Sequence, residues 1–152
     1  MKVYPEKLSQ ALSAGLAPIY IVSGDEPLLV QECCDSIRAA ARKANYAERE
    51  VFHVEAGFDW KEFIYSASSL SLFADQKLLE LRMSSAKPGN EGASSLKEYA
   101  AMPSSSNLLL VSLPRLDKGT QNAQWFKVLE KAGVFIQIWP VAGKDLPRWI
   151  DA

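Results

Sequence analysis

The turn Ser23-Gly24-Asp25-Glu26-Pro27 stands where an α/β chain most often keeps its chemistry. It closes the apolar run Ala17–Val22 and precedes a helical pattern, and the loop after the first strand of an open α/β sheet is the expected ligand site. A phosphate cradle at that turn needs a second glycine, a lysine for the phosphates and a Ser or Thr for Mg²⁺. None of these follows Gly24. Asp25 and Glu26 instead place carboxylates at the helix start, where they repel an anion and where helix capping accounts for them. The later strand Leu108–Leu113 ends in Ser112-Leu113-Pro114, without the acid that a nucleotide hydrolase uses to hold its magnesium shell. The nucleotide site is therefore read as degenerate, with no cofactor and no metal expected.

The remaining reactive residue types are scattered. His53 is the sole histidine; it falls within a predicted strand without a serine context and is read as structural rather than as a base. Cys33 and Cys34 are adjacent on a predicted helix, so they diverge and suit neither a disulfide nor a zinc site. They read as reduced small hydrophobes. Of the four tryptophans, Trp60 and Trp125 recur with other apolar residues at helical spacing and are assigned to the core. Trp139 ends the last predicted strand, and Trp149, beside Arg148, is expected to pack against a further domain. Tryptophans stacking on single-stranded DNA would be a separate reading, which the near-neutral charge disfavours.

One run is different in kind. Ser69-Leu70-Ser71-Leu72-Phe73 puts three large apolar side chains into five residues separated by small serines. By residues alone it is either the last anchor of a helix or a short adhesive peptide meant for another protein.

These residues need elements to hold them. The 152 residues, 48% hydrophobic and 23% charged with a formal net charge of −1, fit one domain with one substantial core. That charge argues against nucleic-acid binding driven by a basic surface. No apolar run approaches bilayer length, so no membrane partner is expected. The pattern predicts a short helix over 4–14, strands at 17–22, 50–54, 77–83, 107–113 and 134–139, and helices from Pro27, from Asp59 and over 121–132. Ser84–Ser94 is predicted to be an exposed loop before a short helix over 96–102, and Asp145–Ile150 to begin a further helix. Alternating strands and helices imply an α/β fold with a parallel, doubly wound sheet of about five strands.

Val3-Tyr4-Pro5-Glu6, Gly24-Asp25-Glu26-Pro27-Leu28-Leu29, Ser71-Leu72-Phe73-Ala74, Leu116-Asp117-Lys118, Gln121-Asn122, Trp125-Phe126 and Leu146-Pro147-Arg148-Trp149 occur in this order. Taken together, the chain resembles the N-terminal domain of the delta subunit of bacterial DNA polymerase III, the clamp-opening subunit of the clamp loader. The resemblance implies an AAA+-like domain over 1–152 that has lost ATP binding, with further helical domains after 152. It implies Leu72 and Phe73 as the grip on the sliding clamp, with Leu70 and Ser71 beside them. Clamp-binding peptides resemble Gln-Leu-Ser/Asp-Leu-Phe, and Ser69 departs from that pattern by replacing the glutamine. Implied partners are the clamp (the beta subunit) and the loader's gamma, tau and delta-prime subunits, with DNA met only through the complex, in the bacterial cytoplasm. The domain itself would be non-catalytic, although the holoenzyme is a DNA-directed DNA polymerase. The alternative is a degenerate P-loop-like nucleotide-binding enzyme domain.

Overall fold

A computed structural model describes residues 2–68, 76–101 and 107–138. After a 3-10 turn at Pro5–Lys7 come α1 (Leu8–Ala14), β1 (Ile19–Ser23), α2 (Pro27–Lys43), β2 (Glu48–Val54) and α3 (Trp60–Ser68). The chain continues through β3 (Lys77–Met83), α4 (Gly89–Ala101), β4 (Asn107–Leu113), α5 (Lys118–Gln121), α6 (Gln124–Ala132) and β5 (Val134–Gln137). The strands form one five-stranded sheet in the order β2-β3-β4-β1-β5, with every pairing parallel. This is the doubly wound sheet that the sequence predicts.

The strands are apolar throughout because both faces of the sheet are covered. One face carries Tyr20, Val22, Leu108, Leu110, Val134 and Ile136 against Leu8 of α1 and Cys33, Cys34, Ile37 and Ala41 of α2. The other face carries Ile19, Ile21, Leu79, Leu81, Leu109 and Val111 against α3, α4 and α6. On that side Phe52, Phe58, Trp60 and Phe63 meet edge to face at centroid distances of 5.1–6.2 Å, a geometry that adds about 0.5–1.5 kcal/mol per pair beyond area burial. Trp60 and Trp125 are both core residues, as their spacing predicts. Cys33 and Cys34 are buried and free. Burial pushes their thiols up to about 11 and about 12, so at neutral pH they pack as protonated small hydrophobes.

Three local expectations are corrected. The stretch predicted as a loop over 84–94 becomes helical from Gly89, so α4 is longer than its composition implies. Its Gly92 is a packing residue: a Cβ there would lie 2.7 Å from the Trp60 ring and 2.6 Å from Pro88. The helix predicted over 121–132 is two helices. Asp117 caps the first by accepting from the Thr120 N–H at 2.6 Å, and the chain turns at Asn122-Ala123 before α6. Leu28, counted in the apolar pattern of α2, is 75% exposed and stands in the first turn, ahead of the buried stripe of Cys33, Cys34, Ile37 and Ala41. The helix expected from Asp145 lies outside the described residues, as do Trp139 and Trp149.

Candidate functional site

Three places bear on chemistry or binding, and the first is the turn after β1. Its backbone and side chains are engaged with the chain's own segments. Ser23 Oγ donates to the Pro114 carbonyl at 2.9 Å, the Gly24 N–H donates to Leu113 O at 3.2 Å, and the Ile138 N–H donates to Ser23 O at 2.7 Å. A Cβ on Gly24 would stand 2.7 Å from Ile138 Cβ and 3.0 Å from its carbonyl oxygen. Gly24 is thus present because the 138 segment passes directly over it, not to bring N–H groups to a ligand. The acids at this turn do not act as the sequence suggests. Asp25 accepts from the Arg115 N–H at 3.0 Å and so ties the turn to the β4–α5 loop. Glu26 is the N-cap residue of α2 without a side-chain capping bond. Replacing Gly24 with Ala is expected to cost about 1–3 kcal/mol through overpacking, read as a lower denaturant midpoint; an unchanged midpoint would contradict this packing.

The second place is the corner where α3 ends and β3 begins, the corner that borders residues 69–75. Leu70, Ser71, Leu72 and Phe73, the residues expected to grip a partner, lie outside the described residues, as does Ser69. The flanks are well defined. Asp59 starts α3 by accepting from the Lys61 N–H at 3.1 Å, and Trp60, Phe63 and Ala67 bury its inner stripe. On the outer side of the same helix Tyr65 is 75% exposed. Buried Lys77 and Asn107, the first residues of β3 and β4, face one another in register beside the end of the helix.

The third place was missed by sequence reasoning. Glu80 lies in the middle of β3 within Leu78-Leu79-Glu80-Leu81 and is 1% exposed. Its carboxylate takes Arg38 through two contacts, Nε at 2.6 Å and Nη2 at 3.1 Å. Arg49 Nε lies at 2.7 Å and Arg82 Nε at 3.4 Å. Arg38 also pairs with Asp35 on its own helix. Burial pushes the Glu80 carboxyl up, but hydrogen bonds and charge from Arg38 and Arg49 outweigh it and hold the group below its ordinary range. Three guanidinium groups converging on one carboxylate make a structural hub. The only sequence signal for it was a charged residue inside an otherwise apolar strand.

His53 is exposed on the edge strand β2, in register with Arg82. A shallow cleft of about 420 Å³ opens between the loop before α4 and α5, lined by Lys87, Asn90, Asp117, Thr120 and Trp125. Its carboxylate, Asp117, is already occupied in capping α5. Among the described residues, His, Cys, Asp and Glu side chains do not cluster in threes suited to a metal ion, and no helix is long and apolar enough to cross a membrane.

Comparison with known proteins adds to this geometry. The family model described as "DNA polymerase III, delta subunit" matches residues 20–138. The chain is 30% identical over 152 residues to the DNA polymerase III subunit delta of Escherichia coli, covering 100% of this chain and 44% of that protein. Against the subunit of the same description from Haemophilus influenzae it is 30% identical over 155 residues, covering 98% and 44%. The chain therefore spans less than half the length of these curated relatives. Among solved structures it resembles the Bacillus subtilis DNA clamp loader delta protein with a TM-score of 0.72 at 17% identity, over 95% of this chain and 45% of that one. It also resembles the Aeropyrum pernix ORC2 protein with a TM-score of 0.53 at 13% identity, over 97% and 50%. At those identities the structural likeness speaks to the fold alone.

Proposed function

The chain belongs to the DNA polymerase III delta-subunit family, and from that premise we propose that it is a clamp-loader domain that grips the sliding clamp and favours opening of the ring. The observation that carries this reading is that the family match runs through residues 20–138 and so spans Leu70–Phe73. Leu72 and Phe73 fill an apolar pocket on the clamp, Leu70 flanks them, and Ser71 lets the backbone lie close to the groove. Burying a Leu or Phe side chain contributes about 1.5–3 kcal/mol, and a few central anchors dominate most interfaces. Three such anchors contribute about 4.5–9 kcal/mol, the range in which binding of micromolar class, about −8 kcal/mol, falls.

The engagement of the first turn supports a role in holding rather than in hydrolysis. Gly24 lies under Ile138, and Asp25 is tied to Arg115, so the turn most suited to a phosphate in this fold is already packed by the chain itself. ATP then acts on the partner subunits (gamma, tau and delta prime), and DNA is met through the assembled loader in the cytoplasm. Ring opening follows when the domain binds the opened clamp more tightly than the closed one, since a ligand shifts an equilibrium only by its differential affinity.

Titration of the beta clamp into the full-length protein without nucleotide tests the reading. Saturable binding in the micromolar range or tighter is expected, unchanged by Mg·ATP. Absence of binding at tens of micromolar, or binding that requires ATP on this protein, would overturn it.

A further inference from the structure

The last four carbonyls of a helix have no partner within the helix and must find one elsewhere. In α1, α2 and α6 the capping residue's backbone N–H closes the helix end. At the end of α3, side chains of the neighbouring strands add further bonds to the helix carbonyls. Lys77 Nζ donates to the Ser66 carbonyl at 2.9 Å and to Ser66 Oγ at 3.3 Å. Ser66 Oγ in turn donates to Glu50 Oε1 at 2.5 Å, and Glu50 stands 3.8 Å from the Lys77 ammonium as its counter-charge. Asn107 Nδ2 donates to the Ala67 carbonyl at 2.6 Å. Lys77, Asn107 and Ser66 are exposed by only 6%, 7% and 8%.

Burying an ammonium group is costly and lysine is almost never fully buried unless paired. A hydrophobic residue at the start of β3 would pack there without that cost. What the lysine adds is direction. It ties the last turn of α3 to β2 and β3, and Asn107 ties it to β4, so the helix end cannot rotate or fray without breaking buried polar bonds. A buried ion pair adds little net stability over a well-packed apolar residue of similar volume.

We infer that Lys77, Asn107, Ser66 and Glu50 form an anchor that positions the clamp-gripping run by fixing both the helix end before it and the strand start after it. This rests on the clamp-binding reading above and adds to it the residues that pre-organise the grip. Pre-organisation raises affinity by removing ordering cost from the binding step, and a supporting shell of locked residues is what holds a binding group in its productive geometry. The anchor residues themselves touch no clamp.

The test is Lys77→Met in the full-length protein, which keeps the aliphatic stem and removes the donor. Clamp affinity is expected to fall about tenfold, toward that of a synthetic peptide of residues 66–76, and Lys77→Arg is expected to recover part of it. Destabilisation alone does not produce this result, because affinity at 25 °C is unaffected while the native state remains dominant. Should Lys77→Met fail to fold, Glu50→Ala decides: its side chain is 41% exposed, so the fold tolerates the change, and clamp binding about threefold weaker is expected. Unchanged affinity in a folded Lys77→Met protein, or in Glu50→Ala where that variant decides, would overturn the anchor. If Leu72→Ala/Phe73→Ala nevertheless lost binding, the clamp reading would stand without it. Failure of the wild-type protein to bind would sink the reading itself.

Discussion

Leu72→Ala/Phe73→Ala is expected to abolish measurable clamp binding while leaving the melting temperature almost unchanged. Each truncation removes an apolar anchor worth about 1.5–3 kcal/mol, so together they subtract about 3–6 kcal/mol from a complex of micromolar class near −8 kcal/mol. What is left is about −2 to −5 kcal/mol, a dissociation constant of about 0.2 mM or weaker, beyond titration at tens of micromolar. Under the clamp-binding proposal these two side chains sit on the clamp rather than in the core of the sheet, so the fold should be indifferent to their truncation. Titration and thermal unfolding of the same preparation read the two quantities together. A fall in melting temperature of many degrees, with affinity preserved in the folded fraction, would make Leu72 and Phe73 core residues and move the clamp site elsewhere.

Glu80→Gln carries the largest expected effect on stability. The wild-type carboxylate is shared by Arg38, Arg49 and Arg82, and removing its charge leaves three guanidinium groups facing one another. Breaking a buried pair by deleting one partner costs about 3–5 kcal/mol. Arg49 and Arg82 have side chains 46% and 40% exposed and turn to water, whereas Arg38 at 16% does not. A loss of about 2–4 kcal/mol follows, or about 5–15 °C in melting temperature for a domain of this size. The pH dependence has a definite sign. The carboxyl is held below its ordinary range in the folded protein, so its contribution is present above the unfolded value of about 4.3 and is lost as pH falls through the folded value. The stability gap between wild type and Glu80→Gln should therefore be widest at neutral pH and close in acid. A gap that stays constant down to pH 2 would contradict the charge account.

Strand positions were legible because a two-sided parallel sheet demands apolar runs, and Ile19–Val22 and Leu108–Val111 meet that demand without interruption. The order of strands was not legible. Nothing in the sequence of β4 says that it inserts between β3 and β1. The hub at Glu80 was hidden for a related reason: its main partner, Arg38, lies 42 residues away on a helix that crosses the sheet. The residues of a phosphate cradle are missing from the turn at Gly24, which the sequence shows directly, but Asp25 binds Arg115, a contact across 90 residues that no local pattern encodes. The start of α4 was obscured because Gly89, Asn90, Gly92 and Ser94 look like loop residues, whereas Gly92 is small to admit Trp60. The candidate grip was found by its unusual spacing of Leu, Leu and Phe and by family likeness. The contacts of Lys77 with Ser66 and Glu50, flanking that run in sequence, needed structure, because a lysine at a strand start ordinarily reads as solvated.

We propose that this domain works by differential holding, gripping a sliding clamp more tightly once the ring is open. The most direct measurement compares the affinity of the full-length protein for the closed ring with its affinity for a clamp made monomeric by substitutions at the ring interface. The account predicts tighter binding to the monomeric clamp, with both interactions lost in Leu72→Ala/Phe73→Ala. Equal affinity for the two forms would contradict it, since a domain that does not distinguish them cannot open the ring.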